Sequence, residues 1–512
     1  MSQLHDARPL VLLGGMLADG SGEEIRPGNV LIHGDRIVTV GHFDLPADAS
    51  IIDCTSLVVA PGFIDVHSHS DLQVLEGRRE KLLQGVTSEV VGNCGFSAYP
   101  HGAHAAELRS FANGIFCGGD HWEWDTAGEY LADTGTEETV ASVYSLIGHG
   151  SLRVAVAGNR MDALEEPLLA SMEQKLAEAF EQGAIGFSTG LMYAPGSGAP
   201  ASELERLCSV VAAHDKIYCT HMRDYGFYLL EAVDEQIRLA ERTGCRLQIS
   251  HLQAVGRPNR ELNDRALECI EAAHERGVDV AFDCYPYIAG STVMTQLLPQ
   301  WALQGGTAGM LTLLAAPTQR ARMEEEMLGS IANTWDELFV SAVGSERNAH
   351  AVGKSLEELG ELRQQRPADV IFDLLLEERG QVNVLEFNQS EENLRRNLNH
   401  PLAIIISDGF YVKGRPHPRL HGTFPELLGN LCRDRQWMPL ATAIHKITGL
   451  PSSRFGIAER GFLRAGYLAD VTVFDPATIR SRATYTNPEQ SPEGVHYVFR
   501  EGRSLLEPAS PA

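Results

Sequence analysis

The sequence predicts an α/β fold: a (β/α)8 barrel of the TIM type, with a small β-sandwich domain built from both termini and an insertion between strands 7 and 8. Three observations carry that expectation. From residue 62 to 449, short apolar runs alternate with charged amphipathic stretches, the pattern of a parallel sheet covered by helices. Eight such runs can be counted. The two ends of the chain are different, being rich in short β-type runs broken by turn residues.

Taken in order, residues 1–61 hold LVLLGG, DGSG, GNVLIHGDRIVTVG and SIIDCTSLVVAPG, the N-terminal part of the sandwich. Residues 450–512 supply its other part, with GFLRAGYLADVTVFD (461–475) and GVHYVFREG (494–502). The barrel runs are GFIDVHSH (62–69), VTSEVVGNC (86–94), VYSLIGH (143–149), AIGFSTG (184–190), KIYCTH (216–221), RLQISH (246–251), VDVAFDCYPY (278–287) and LAIIISD (402–408). Leu164 to Gly183 and Leu229 to Thr243 have apolar residues at helical spacing between them. The gap from Tyr287 to Leu402 exceeds what one helix and two loops need, which places an inserted subdomain at about 289–350. At its end NAHAVGKS (348–355) finishes like a phosphate-binding loop, but Asn348 stands where the first glycine is required.

Composition narrows the function classes. A chain of 512 residues, 44% hydrophobic, buries a large core, and its formal charge of -26 disfavours nucleic acid and anionic membrane. Nine cysteines without close pairs do not form a disulfide framework and fit a reducing, cytoplasmic setting. The N-terminal apolar run lacks a basic leader and is broken by Gly14 and Gly15, and no run approaches the roughly 18 residues of a membrane span. A small-molecule substrate is the expected partner; homo-oligomer formation is left open.

A barrel of this kind does its chemistry at the C-terminal ends of its strands. Here those ends carry His67 and His69, Cys94, His149, Ser188 with Thr189, His221, His251, Asp283 with Tyr285, and Asp408. His67 and His69 share one face of an extended chain, so both imidazoles point into the barrel mouth. Adding Cys94, which lies between two glycines in VVGNCGFS, with His221, His251 and Asp408 gives six donors on one rim, better explained by one or two divalent ions than by packing. Thiolate with imidazole favours zinc.

PGFIDVHSHSD (61–71), GVTSEVVGNCGFS (85–97), GAIGFSTGLMYAPG (183–196), CTHMRD (219–224), ISHLQ (249–253), DCYPYIAGST (283–292), ISDGF (406–410), GRPHPRLHGTFPELLG (414–429) and RGFLRAGYLADVTVFDP (460–476) together resemble the N-acyl-D-amino-acid deacylase (D-aminoacylase) family of the amidohydrolase superfamily. Many members of that superfamily bridge two metals with a carboxylated lysine on the fourth strand; this chain has FSTG there, and the resemblance implies that Cys94 takes the bridging role. It further implies one tightly bound Zn2+ on Cys94, His221 and His251, and a second, weak or absent, on His67 and His69. Asp408 would be the general base that also protonates the leaving amine.

On the substrate side, Arg223 follows a ligand histidine by two residues and is expected to clamp an α-carboxylate, while Tyr193, Tyr285 and Ser291 are similar to the family's residues around that group. Two departures stand out. Tyr225 follows Asp224 where the family usually has an acidic residue, and Gln253 replaces a lysine that pairs with acidic side chains. An acidic side chain would be left unpaired, so neutral or hydrophobic acyl-D-amino acids are expected. A ring-opening, hydantoinase- or dihydroorotase-like hydrolase is the first alternative, and relies on the lysine missing here. A non-catalytic binding protein of the same fold is the second, and predicts lost ligands, whereas all six are present.

Overall fold

The computed structural model describes residues 8–116, 122–136 and 139–507. Eight parallel strands are joined in chain order: β1 Phe63–Asp65, β2 Val86–Val91, β3 Ser142–Gly148, β4 Gly186–Gly190, β5 Ile217–His221, β6 Arg246–Ile249, β7 Val280–Cys284 and β8 Ala403–Ile405. The sheet closes on itself at the top, where Asp408 N–H donates to the His67 carbonyl (2.8 Å) and His69 N–H to that of Gly409 (3.0 Å). Strands buried on both faces explain why these runs read as continuous apolar sequence rather than as alternation. The outer helices bury one stripe each: in Leu229–Thr243 it is Leu229, Ala232, Val233, Ile237 and Ala240.

Strands from the two ends of the chain form one eight-stranded sheet, as expected. Val471–Phe474 lies antiparallel on Val58–Pro61, with Thr472 opposite Ala60 and Val473 opposite Val59. β-branched residues paired across strands suit this half-buried surface. The sheet adjoins the foot of the barrel, since Gly62 N–H donates to Asp470 and the Thr472 hydroxyl to Gly85.

The strands and helices between β7 and β8 include a sheet that pairs across positions on both sides of residue 350. Val382–Glu386 is the middle strand of a three-stranded sheet, between Gly290–Val293 and Leu338–Val343. A separate apolar core from Met294 to Val384, including Leu314, Val340, Leu359 and Phe372, binds this unit together. Loop length alone marks where such a unit begins; its end depends on strand pairing that the sequence does not display. The chain returns to the barrel through helix Glu391–Asn399. Among the described residues, no helix is long and apolar enough to cross a membrane, and eight cysteines are free; Cys117 lies outside them.

Candidate metal centre and substrate cavity

The regular strands stop short of the expected donors. His221 is the last residue of β5, whereas Cys94, His251 and Asp408 lie two or three residues past β2, β6 and β8. All three have left-handed backbone, with φ of 53°, 36° and 50°. Non-glycine residues adopt that region at a cost, and such strain gathers at functional sites.

The turn that presents Cys94 needs its two glycines. Gly92 has φ 81°, and a Cβ there would lie 2.0 Å from the Leu146 carbonyl oxygen; at Gly95 (φ 78°) it would lie 2.7 Å from the Gly190 nitrogen. Ser188 pins the turn from β4, accepting from Gly95 N–H (3.0 Å) and donating to the Gly92 carbonyl. Thus the fourth strand, which lacks a lysine, serves the site by holding the cysteine loop.

Six donors converge. Cys94 Sγ is 3.2 Å from His67 Nε2 and 3.5 Å from His251 Nε2, which is 3.1 Å from His221 Nδ1. Asp408 Oδ1 is 3.4 Å from His67 Nε2 and 3.2 Å from His69 Nε2. Three groups could each hold a metal: His67, His69 and Cys94; Cys94, His221 and His251; His67, His251 and Asp408. Bonds of about 2.0–2.3 Å to a tetrahedral ion separate its ligands by roughly 3.3–3.6 Å, so the donor set fits a cation. Protons satisfy such facing lone pairs only in pairs.

The electrostatics agree with that assignment. Burial favours the neutral thiol, yet the charge of His67 and hydrogen bonds from His221 and His251 hold Cys94 well below an ordinary thiol. Burial likewise opposes ionisation of Asp408, but Arg419 and His67 hold its carboxyl well below the usual range. Behind the donors, Asp283 accepts from His251 N–H (2.6 Å) and lies 3.4 Å from His67 Nδ1, orienting two ligands at once. His149, also at a strand end, is not part of the cluster: its Nε2 is 2.8 Å from Glu203, which Arg153 also holds.

A cavity of about 220 Å³ opens onto these donors, lined by Tyr193, Gln253, Tyr285, Ser291, Asp408 and Arg419 among others. Tyr193 packs on the His221 ring at 4.8 Å, and Tyr285 donates to Gln253 Oε1 at 3.1 Å. Arg223 is engaged elsewhere. Its guanidinium is spent on Glu235 (2.8 Å) and the carbonyls of Ser197 (2.9 Å) and Ala199 (2.8 Å), away from the cavity wall. Tyr225 fills the space beside the ligands instead, its hydroxyl held by Met222 N–H and the Ser250 carbonyl.

Among the described residues, the cation lining the cavity is Arg419, to which the sequence assigns no role. It is 1% exposed, 2.9 Å from Asp408 and 4.6 Å above the Tyr285 ring, and its Nε has no hydrogen-bond partner. The signal was an arginine among prolines in GRPHPRLHG, eleven positions past Asp408.

A closed parallel barrel with imidazole, thiolate and carboxylate donors converging at its mouth defines a metal-dependent hydrolase of the amidohydrolase kind. The sequence pattern of the amidohydrolase family matches residues 50–506. A D-aminoacylase of Alcaligenes xylosoxydans xylosoxydans is 35% identical over 98% of this chain and 95% of its own length. A D-aminoacylase structure concerned with a binuclear metal centre, in which one metal activates and the second attenuates, superposes with a TM-score of 0.83 at 32% identity, covering 98% of this chain and 97% of that one. The N-acyl-D-glutamate deacylase of Bordetella bronchiseptica, complexed with zinc and a phosphonate mimic of the tetrahedral intermediate, gives 0.83 at 31% identity with the same coverage. The chain belongs to the amidohydrolase family and, within it, to the N-acyl-D-amino-acid deacylase (D-aminoacylase) branch.

Proposed function

We propose that this protein hydrolyses the amide bond of N-acyl-D-amino acids, giving a carboxylate and a free D-amino acid, with neutral or hydrophobic side chains preferred over acidic ones. The observation that carries this reading is one cavity holding the donor cluster, an ionised carboxylate at Asp408 and an apposed cation at Arg419. Zn2+ suits the thiolate and imidazoles, with Cys94, His221 and His251 as the tight position and His67 with His69 as a second, weak or absent one. When bound, the ion polarises the acyl carbonyl and acidifies water.

Asp408 takes a proton from the attacking water as oxygen bonds to the acyl carbon, then delivers it to the nitrogen as the C–N bond breaks. Arg419 keeps that carboxylate ionised and, with Tyr285 and Ser291, receives the substrate's α-carboxylate in place of Arg223. Gln253 adds no charge, and the apolar walls Met192, Leu297, Leu298 and Ile331 suit uncharged side chains. The D configuration rests on similarity to the deacylases alone. A buried arginine in the cavity wall, suited to a free carboxylate, favours this reading over ring opening of a cyclic amide.

The test pairs metal analysis with kcat/KM for N-acetyl-D- and L-amino acids and a hydantoin. Zinc near one per chain, with D-leucine derivatives hydrolysed fastest, is expected; a preference for N-acetyl-D-glutamate or for the hydantoin overturns the reading. Cys94→Ala is expected to lose zinc and activity together. Asp408→Asn is expected to keep zinc and lose at least about a thousandfold in kcat, in the range of general acid–base removal.

A further inference from the structure

One carboxyl group in the same cavity has no task in the reaction. Glu386 ends the middle strand of the inserted sheet, on the cavity wall with Asn388, Asn333 and Gln253. Among the described residues, the one hydrogen-bond partner of its carboxylate is Asn388, whose Nδ2 lies 3.3 Å away, and no cation is paired with it. A carboxylate buried without a counter-charge is costly. The cost is compensated where a cationic ligand completes the pair.

A second observation points the same way. Asn388 is 5% exposed, and its Oδ1 is buried with no hydrogen-bond partner. A hydrocarbon side chain leaves this acceptor and the carboxylate unsatisfied, whereas a group rich in N–H donors satisfies both.

Position decides which part of the substrate reaches them. Glu386 is close enough to Tyr285 to act on its hydroxyl electrostatically, and Gly290, its partner across the sheet, lies beside both the Tyr285 hydroxyl and Asn388. Tyr285, under Arg419, is where the α-carboxylate is held on the reading above. The α-carbon bears carboxylate and side chain together, so a carboxylate held at Tyr285 on that reading leaves the side chain within reach of Glu386. The acyl branch leaves from the carbon over the metal donors.

We propose that Glu386, with the Asn388 side-chain oxygen, forms a subsite for the cationic end of a long substrate side chain, so that N-acyl derivatives of D-lysine and D-arginine are substrates. Leu297, Leu298 and Ile331 accommodate the methylene stem while the charged head meets the carboxylate. Burial pushes the Glu386 carboxyl up to about 7, and an arriving ammonium restores its charge. The subsite also explains rejection of acidic side chains by repulsion, beyond the missing lysine at Gln253.

This inference rests on the deacylase reading, and one experiment separates the two. N-acetyl-D-lysine, -D-norleucine, -D-leucine and -D-glutamate are compared by kcat/KM in the zinc-loaded wild type and in Glu386→Gln. Norleucine copies the lysine stem without its amine. The expected result is lysine at or above norleucine and at least about tenfold above glutamate, with the lysine-to-norleucine ratio falling about tenfold or more in Glu386→Gln, the loss of one charge pair. A ratio unmoved by the substitution, or hydrolysis of D-leucine and D-norleucine without D-lysine, overturns the subsite and leaves the deacylase reading standing. No hydrolysis of any D derivative overturns both. Should Glu386→Gln fail to fold, the wild-type ratio decides, and norleucine well above lysine refutes the subsite.

Discussion

Arg223 and Arg419 are separated by what their guanidinium groups already hold. Arg223 is closed off by a carboxylate and two carbonyls, while Arg419 faces Asp408 and the cavity. Arg419→Met is expected to raise KM for N-acetyl-D-leucine about a hundredfold, the ~2–3 kcal/mol of a buried charge-assisted contact. Arg223→Met is expected to change KM less than about threefold and to cost about 1 kcal/mol of stability by releasing Glu235. Steady-state kinetics on the two variants distinguishes them, and equal KM effects would return the carboxylate clamp to Arg223.

Among elements, the seam between β1 and β8 positions the site. Asp65 lies inside the apolar run GFIDV, accepts from Ser407 N–H (3.0 Å) and hydroxyl (2.6 Å), and pairs with buried Lys81. Lys81 also donates to the Ser407 hydroxyl at 2.5 Å, so one ammonium ties together the strands that carry His67, His69 and Asp408. Lys81→Met leaves Asp65 charged and unpaired, with an expected loss of about 3–5 kcal/mol in denaturant unfolding. Adding Asp65→Asn is expected to recover part of that loss; a Lys81→Met protein as stable as wild type would show that the seam is held by packing alone. Sequence pattern located these strands but not their fastening, because Lys81 and Ser407 are 326 residues apart.

At the scale of the molecule, the barrel carries the candidate metal donors and the insertion lines much of the cavity. Ser291, Leu297, Leu298, Ile331 and Glu386 reach the cavity from a unit with its own core, whereas the six candidate donors come from the barrel. Replacing residues 294–384 with a short linker is therefore expected to leave a folded, metal-binding barrel with kcat/KM reduced at least about a hundredfold. Loss of metal along with activity would show that the two units do not fold separately. We propose the unit's limits at about 289 and 388 on the same grounds.

The sequence by itself determined the repeating strand and helix pattern, the β-rich ends and the donors. Each is a local property: a side chain of definite chemistry at the end of an apolar run, such as Cys94 after VVGN or Asp408 after IIIS. Tertiary structure alone decided which arginine faces the cavity, what holds the barrel closed, which strands pair in the inserted sheet, and that Glu386 shares a cavity with the candidate metal donors. Those depend on groups far apart along the chain becoming neighbours. Local periodicity records whether a residue is buried, but not which partner it meets there.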